Sequence, residues 1–183
     1  EKEKITKEYK KGSILYKEGT KINGIYCVNS GVVKIYKTGR DGKEQIVSFA
    51  KAGDLTAFRS VLSNAPACTT AEVIEDSIIC YIPASTLFNF IKTNPTFSLS
   101  LLQLTCKELN YANEYIKDIA QKTVRVRLAE VLLKLETTFG VDNEGYLNIK
   151  LTREELSNIV GTATESVIRL LSDFKNEKLI VIS

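Results

Sequence analysis

The sequence contains no histidine, no methionine and no tryptophan. The missing histidine excludes the most. It removes Ser–His and Cys–His nucleophilic pairs, His-ligated haem and the His-rich metal sites of β-barrel oxygenases. An enzyme would have to work without its commonest tools; no enzymatic activity, metal or cofactor is the expectation for the chain as a whole. The four cysteines, Cys27, Cys68, Cys80 and Cys106, contain no C-x-x-C pair, so neither a zinc knuckle nor a dithiol redox motif is indicated. Small buried thiols in a reducing cytosol are the first reading, and a thiol-redox sensor is the alternative. Apolar runs such as Ile78-Ile79-Cys80-Tyr81-Ile82 fall far short of the roughly 20 residues that span a bilayer. No basic start leads into an apolar core, as a secretion signal would require. The expectation is a cytoplasmic protein without a membrane partner. Because Glu1 comes first and methionine is absent, the natural start is expected upstream.

A single-signed charge bias is also lacking where it would be most telling. Residues 1–55 carry twelve basic and seven acidic side chains, residues 56–121 four and six, and residues 122–183 nine of each. Bulk charge in the last third gives no support to nucleic-acid binding, so a motif must carry any such claim.

Residues 12–83 read as short strands between glycine turns. Ser13–Lys17, Gly24–Val28, Val32–Thr38 and Glu44–Ala50 are strand candidates, and Val73–Ile82 supplies one or two more before Pro83. The partial alternation of Val32-Val33-Lys34-Ile35-Tyr36-Lys37 suits a half-buried strand. Gly39-Arg40-Asp41-Gly42 supplies residues that tolerate positive φ, so a hairpin is expected there. Many short strands at this spacing indicate a jelly roll or β-barrel.

The pattern then turns helical. Ala84–Lys92 reads as a short helix, and Asn94-Pro95 opens a longer one that continues without Gly or Pro to about Ala120. Leu102, Leu109, Ala112, Ile116 and Ile119 form one stripe on it, and Leu101, Leu104, Tyr111 and Tyr115 a second. A helix apolar on two sides needs two partners. One can be the β module, and the other the same helix of a second subunit. Burial of a single helix within one chain is the alternative. Val124–Thr138 is a further helix, Gly140–Gly145 a loop and Tyr146–Leu151 a short strand.

Two helix starts follow closely. Thr152-Arg153-Glu154-Glu155 and Thr162-Ala163-Thr164-Glu165 both read as T-x-x-E capping boxes. Leu156, Ile159 and Val160 line the first helix, Gly161 ends it, and Val167, Leu170, Leu171 and Phe174 line the second. Two short helices joined by a tight glycine turn make a helix-turn-helix, whose second helix fits the major groove of DNA. Thr164, Glu165, Ile168 and Arg169 are its expected exposed positions. Arginine can fork onto guanine, and glutamate accepts from cytosine. A capping Glu165 and a merely solvated Arg169 are the alternatives.

The stretch Leu151-Thr-Arg-Glu-Glu-Leu-Ser-Asn-Ile-Val-Gly-Thr-Ala-Thr-Glu-Ser-Val-Ile-Arg-Leu-Leu closely resembles the DNA-binding motif of the Crp/Fnr regulators, and Lys178-Leu179-Ile180 resembles the end of the family's next helix. Gly12–Gly19, Gly24-Ile25-Tyr26, Ser30–Lys34 and Gly53-Asp54-Leu55 look like its cyclic-nucleotide-binding-type β-roll. The resemblance implies an α+β chain: a jelly-roll sensor over 1–94, a dimerisation helix over 95–121 and a winged helix-turn-helix over 122–183, ending at Ser183 inside the wing's first strand. It implies a homodimer on a two-fold symmetric promoter site that alters recruitment of RNA polymerase. By position Glu165 and Arg169 match the family's base-reading pair. Arg153, Thr162 and Ser166 fall where phosphate contacts are made. Thr164 replaces an arginine of the cyclic-AMP receptor branch, and Ala163 a frequent serine.

The sensor departs from that pattern. Ala57-Phe58 stands where nucleotide binders carry Gly-Glu for the ribose. Pro66-Ala67-Cys68-Thr69 stands near the place of the phosphate-binding arginine. Ala112-Asn113 replaces a hydroxyl pair that meets the base. A buried phosphate without arginine is poorly compensated, so tight cyclic-AMP binding is not expected. The clustered N-terminal cysteines of the iron–sulfur branch have no counterpart in 1–183, and lack of histidine disfavours the haem branch. Phe58, Arg59, Thr69, Thr70 and Asn113 would line the equivalent pocket for an unidentified small molecule; core packing is the alternative for Phe58. Rival readings are a nucleotide-sensing module without DNA function, a cupin-type enzyme, and a thiol-redox regulator.

Overall fold

The computed structural model describes residues 4–182. The chain divides into two compact units, one running to Asn110 and the other starting at Tyr111. The break falls inside one helix, so each unit takes a share of it.

The first unit is an antiparallel β-roll with three helices. Its strands are β1 (Ile5–Tyr9), β2 (Ile14–Tyr16), β3 (Gly24–Thr38), β4 (Glu44–Ala50), β5 (Leu55–Thr56) and β6 (Thr70–Pro83). They pair in the order β1-β6-β3-β4, with β2 also on β6 and β5 also on β3. Strand β3 is continuous, where the sequence reading expects two strands. Its register against β6 shifts between Val28 and Ser30 and again before Val33, so bulges take the place of a break. Gly31 makes this possible. Its φ is +85°, and a Cβ there would run into the Ser77 hydroxyl and come within 2.7 Å of the Asp76 carbonyl oxygen. Gly31→Ala should therefore cost about 2–4 kcal/mol, combining strain and overpacking, and a loss under 1 kcal/mol in denaturant unfolding would contradict this account.

The hairpin at 39–42 forms as expected. Gly39 N–H donates to Lys43 O at 2.8 Å, Gly42 N–H to Gly39 O at 3.1 Å, and Thr38 pairs with Glu44. Val28 opposite Ile79 and Val33 opposite Val73 are all essentially inaccessible to solvent. They centre a core with Tyr16, Ile35, Ala50, Ala67 and Ala71. Each fully buried aliphatic side chain adds about 1.5–3 kcal/mol of transfer free energy. The segment Val32–Tyr36 is buried on both faces, not half-buried. Even Lys34 is only 7% exposed, and its Nζ lies 2.9 Å from Glu44 and 3.2 Å from Glu72. Those two carboxylates make burial of the ammonium tolerable. Beside them the Tyr36 hydroxyl is pushed up to about 12, by burial first and the two carboxylates next.

Helix α1 (Phe58–Ser63), which the sequence reading missed, starts after Ala57 at φ 70°. Helix α2 (Ala84–Thr93) follows Pro83, and α3 runs from Pro95 to Gln121. Asn94 caps α3, its Oδ1 accepting from Phe97 N at 3.0 Å. Phe97, Leu101 and Leu104 pack with Ile25, Phe58, Val61 and Leu87 into a second core. Leu99, Leu102, Leu109 and Ile116 stay 56%, 60%, 61% and 67% exposed. Ala112 and Ile119 are exposed as well. Tyr111, expected on a buried stripe, is also exposed, and Lys134 lies over its ring at 4.9 Å.

In the second unit α4 (Val124–Phe139), α5 (Arg153–Val160) and α6 (Thr164–Asn176) bury Leu128, Leu135, Leu156, Val160, Val167, Leu171 and Phe174 together with Ile149. The strand expected over Tyr146–Leu151 does not form. Among the described residues an isolated bridge between Val141 and Leu147 is the only strand-type pairing there. The residues from Leu179 to Ile182 take no strand, and Ser183, where a wing strand is expected, lies outside the described residues.

Candidate nucleic-acid interface

The turn between α5 and α6 is built from short-range chemistry. Thr152 is the N-cap of α5 with a complete capping box: Glu155 N donates to Thr152 Oγ1 at 3.0 Å and Thr152 N to Glu155 Oε2 at 2.8 Å. Gly161 ends the helix at φ 72°, ψ 54°, and its N–H donates to Ser157 O at 2.9 Å. The second capping box does not form. Ala163, not Thr162, is the N-cap of α6 and has no side-chain oxygen to offer. Gly161 must use two more residues, Thr162 and Ala163, to turn the chain, which moves the cap one position along. Thr164 is half-buried instead of exposed, and its hydroxyl lies 3.0 Å from that of Ser157.

Two residues outside the sequence reading hold this geometry. Ser157 is fully buried and donates to Glu154 O at 2.8 Å while meeting Thr164, so it ties the two helices together. Arg127 of α4 places its guanidinium on three carbonyls: Val160 O at 3.1 Å, Lys122 O at 2.9 Å and Gly161 O at 3.4 Å. A cation at the C-terminal end of α5 also suits the helix dipole. Their only sequence signals are a serine inside an apolar stripe and an arginine inside an amphipathic helix, and neither names a partner 33 residues away. At the far end of α6, Arg125 pairs with Glu177 at 2.6 Å and covers the Phe174 ring at 4.6 Å.

The opposite edge of α6 is free. Glu165, Ile168 and Arg169 are exposed, at spacings of three and four residues that put them on one face. Glu165 is the second residue of α6, so the reach-back position of a capping box is not its place. Ser166 and Thr162 are half-buried, and Arg153, first residue of α5, is half-buried as well. Thr162 and Ser166 thus flank the turn, and Arg153 stands at the start of the helix before it. These residues offer cations, a carboxylate, hydroxyls and the open N-terminus of a helix, a combination suited to phosphates and base edges.

Of the five residues expected around an effector, Phe58, Arg59 and Thr69 meet at one cleft. Tyr16, Thr56, Phe58, Arg59, Thr69 and Glu108 are among those lining a cleft of about 20 Å³ in the roll. That is room for about one water molecule. Tyr16, which the sequence reading missed, is part of that lining, hydrogen-bonded to Thr56 and with its hydroxyl held above its usual value chiefly by burial. Phe58, 2% exposed, belongs to the core. Arg59 lies 3.1 Å from Glu108, whose carboxyl is raised by burial and partly relieved by that cation. Thr70 is buried beside the cleft and accepts from Glu18 N at 3.0 Å. Asn113 belongs to the other compact unit and is exposed. The thiols also differ from expectation: Cys80 is buried and Cys27 half-buried, but Cys68 and Cys106 are exposed.

A β-roll followed by a long helix and a helix-turn-helix defines a class, the sensor-linked DNA-binding regulator. Residues 6–94 match the cyclic nucleotide-binding domain family, and residues 126–183 match the Crp-like helix-turn-helix domain family. The chain is 29% identical over 178 residues to the fumarate and nitrate reduction regulatory protein of Yersinia pestis, covering 95% of this chain and 70% of that one. Its structure is similar to FixK2 from Bradyrhizobium japonicum, with TM-score 0.87, 24% identity and coverage of 98% and 88%. It is also similar to a CooA mutant from Carboxydothermus hydrogenoformans, with TM-score 0.78, 29% identity and coverage of 96% and 78%. The chain belongs to the Crp/Fnr family of DNA-binding transcription regulators, which are not enzymes. Regulators of this family bind promoter DNA and are dimeric. Among the described residues no helix is long and apolar enough to cross a membrane.

Proposed function

We propose that this protein acts as a homodimer on inverted-repeat promoter sites, with α6 of each subunit in a major groove, and that the bound dimer alters recruitment of RNA polymerase. The observation that carries this reading is the free edge of α6, Glu165, Ile168 and Arg169, on a helix whose other face is locked to α5. Arg169 takes guanine and Glu165 cytosine. Thr164, its hydroxyl engaged by Ser157, stands beside them and supplies no arginine-like base contact. Arg153, Thr162 and Ser166 take backbone phosphates. The exposed stripe of Leu102, Leu109, Ala112, Ile116 and Ile119 is the dimer interface.

Selection from a random DNA pool with the protein should enrich inverted repeats whose half-sites are about one helical turn apart. Enrichment of single, asymmetric sites, or none, would sink the reading.

The β-roll takes no tightly bound cyclic AMP. The cleft leaves room of about 20 Å³, and the one arginine lining it, Arg59, is already paired with Glu108. Calorimetric titration of the protein with cyclic AMP should give no constant at or below the micromolar range, and a tighter one would overturn this point. Any effector of this roll must therefore be small, or must displace side chains that line the cleft.

A further inference from the structure

Strands β3 and β6 run antiparallel, and their register sets Cys27 directly opposite Cys80, between the pairs Tyr26–Tyr81 and Val28–Ile79. Opposed residues of an antiparallel ladder project to the same face, with Cα atoms about 4.5 or 5.5 Å apart according to their hydrogen bonding. Both spacings lie inside the range of about 4.4–6.8 Å that a disulfide requires. Cys27 is half-buried and so open to attack, whereas Cys80 is 6% exposed and waits behind it. We propose that Cys27 and Cys80 form a cross-strand dithiol that low-molecular-weight disulfides convert, reversibly, to an intramolecular disulfide.

The Cys27 thiolate attacks one sulfur of the small disulfide, and an S–S bond forms as one thiolate leaves. Cys80 then loses its proton, its sulfur attacks Cys27 Sγ, and the mixed disulfide breaks to release the second thiolate. The protein gives up two electrons and two protons, and the small disulfide becomes two thiols. Opposed Cβ atoms in a ladder sit about 4.5–5.5 Å apart against about 3.5–4.5 Å in a disulfide, so the bond is strained and excess thiol reopens it. Burial first, and then the nearness of Cys80, pushes the Cys27 thiol above its usual value, while Lys4 acts in the opposite sense. The reaction is accordingly slow at neutral pH and faster in mild alkali. Closure draws β3 against β6 beside β5, which pairs Leu55 with Cys27 and holds Tyr16 through Thr56. The roll interior would thus register the thiol balance of its surroundings. This proposal does not depend on the DNA-binding reading.

The test is equilibration of the reduced protein in glutathione buffers of graded disulfide-to-thiol ratio at mildly alkaline pH, then quenching, alkylation in denaturant and peptide mapping. Two of the four thiols should disappear without retained glutathione, in a peptide joining Cys27 to Cys80 within one chain, and excess thiol should restore them. A Cys68→Ser/Cys106→Ser double variant should behave the same way, and Cys27→Ser should abolish the linkage. Glutathione adducts confined to Cys68 and Cys106, or linkage only between chains, would overturn the proposal. The map of the unaltered protein decides the question even if a variant fails to fold.

Discussion

Leu109→Glu combined with Ile116→Glu should turn the protein into a monomer and lower its affinity for an inverted repeat at least about hundredfold. Leu102, Leu109 and Ile116 recur at intervals of seven residues along α3 and are 60%, 61% and 67% exposed in the single chain. A seven-residue apolar repeat is the pattern that pairs two helices. Each such side chain, once covered, contributes about 1.5–3 kcal/mol, and two-fold symmetry counts every substitution twice. A carboxylate buried there without a partner adds a further penalty of several kcal/mol. The fold of the single chain should survive, because these side chains contribute little to its own core. Sedimentation equilibrium gives the assembly state, and binding to a selected repeat gives the affinity. A double variant that remains dimeric would remove the stripe from the interface.

Arg169→Ala should weaken binding and relax base preference at one G·C pair in each half-site. A bidentate arginine–guanine contact discriminates by about 1–3 kcal/mol. A symmetric dimer meets the loss twice, so specific affinity should fall by between about thirtyfold and about twenty-thousandfold. Ser166→Ala should act differently, lowering affinity for all sequences alike, since a phosphate contact carries no sequence information. Arg169 is exposed, so its replacement should leave thermal stability within about 0.5 kcal/mol of the parent. Selections repeated with the variant read both effects. A base preference identical to the parent's would take Arg169 out of the reading role.

The elements that the sequence made legible are those governed by near neighbours. The Thr152–Glu155 capping box, the Gly161 stop, the Gly39–Gly42 hairpin and the Asn94-Pro95 start of α3 each need only a few residues and their intrinsic φ preferences. The second capping box failed for a related reason. The T-x-x-E pattern at Thr162 ignored the residues that the turn after Gly161 consumes, so the cap fell on Ala163. The strand expected at Tyr146–Leu151 failed because a strand is a property of two segments, and among the described residues that segment finds one isolated bridge, Val141 to Leu147, and no ladder.

What the sequence by itself determined was the order of the parts: a glycine-punctuated β module, a long helix apolar on two sides, and two short helices around a glycine. Periodicity and capping suffice for these because they act over a handful of residues. Only the tertiary structure decided which side chains meet. It joined Tyr16 to Thr56, set Arg127 on the carbonyls closing α5, joined Ser157 to Thr164 and placed Cys27 against Cys80. Those meetings link residues 7 to 53 positions apart, and their register is set by how whole strands and helices pack, which no local pattern encodes.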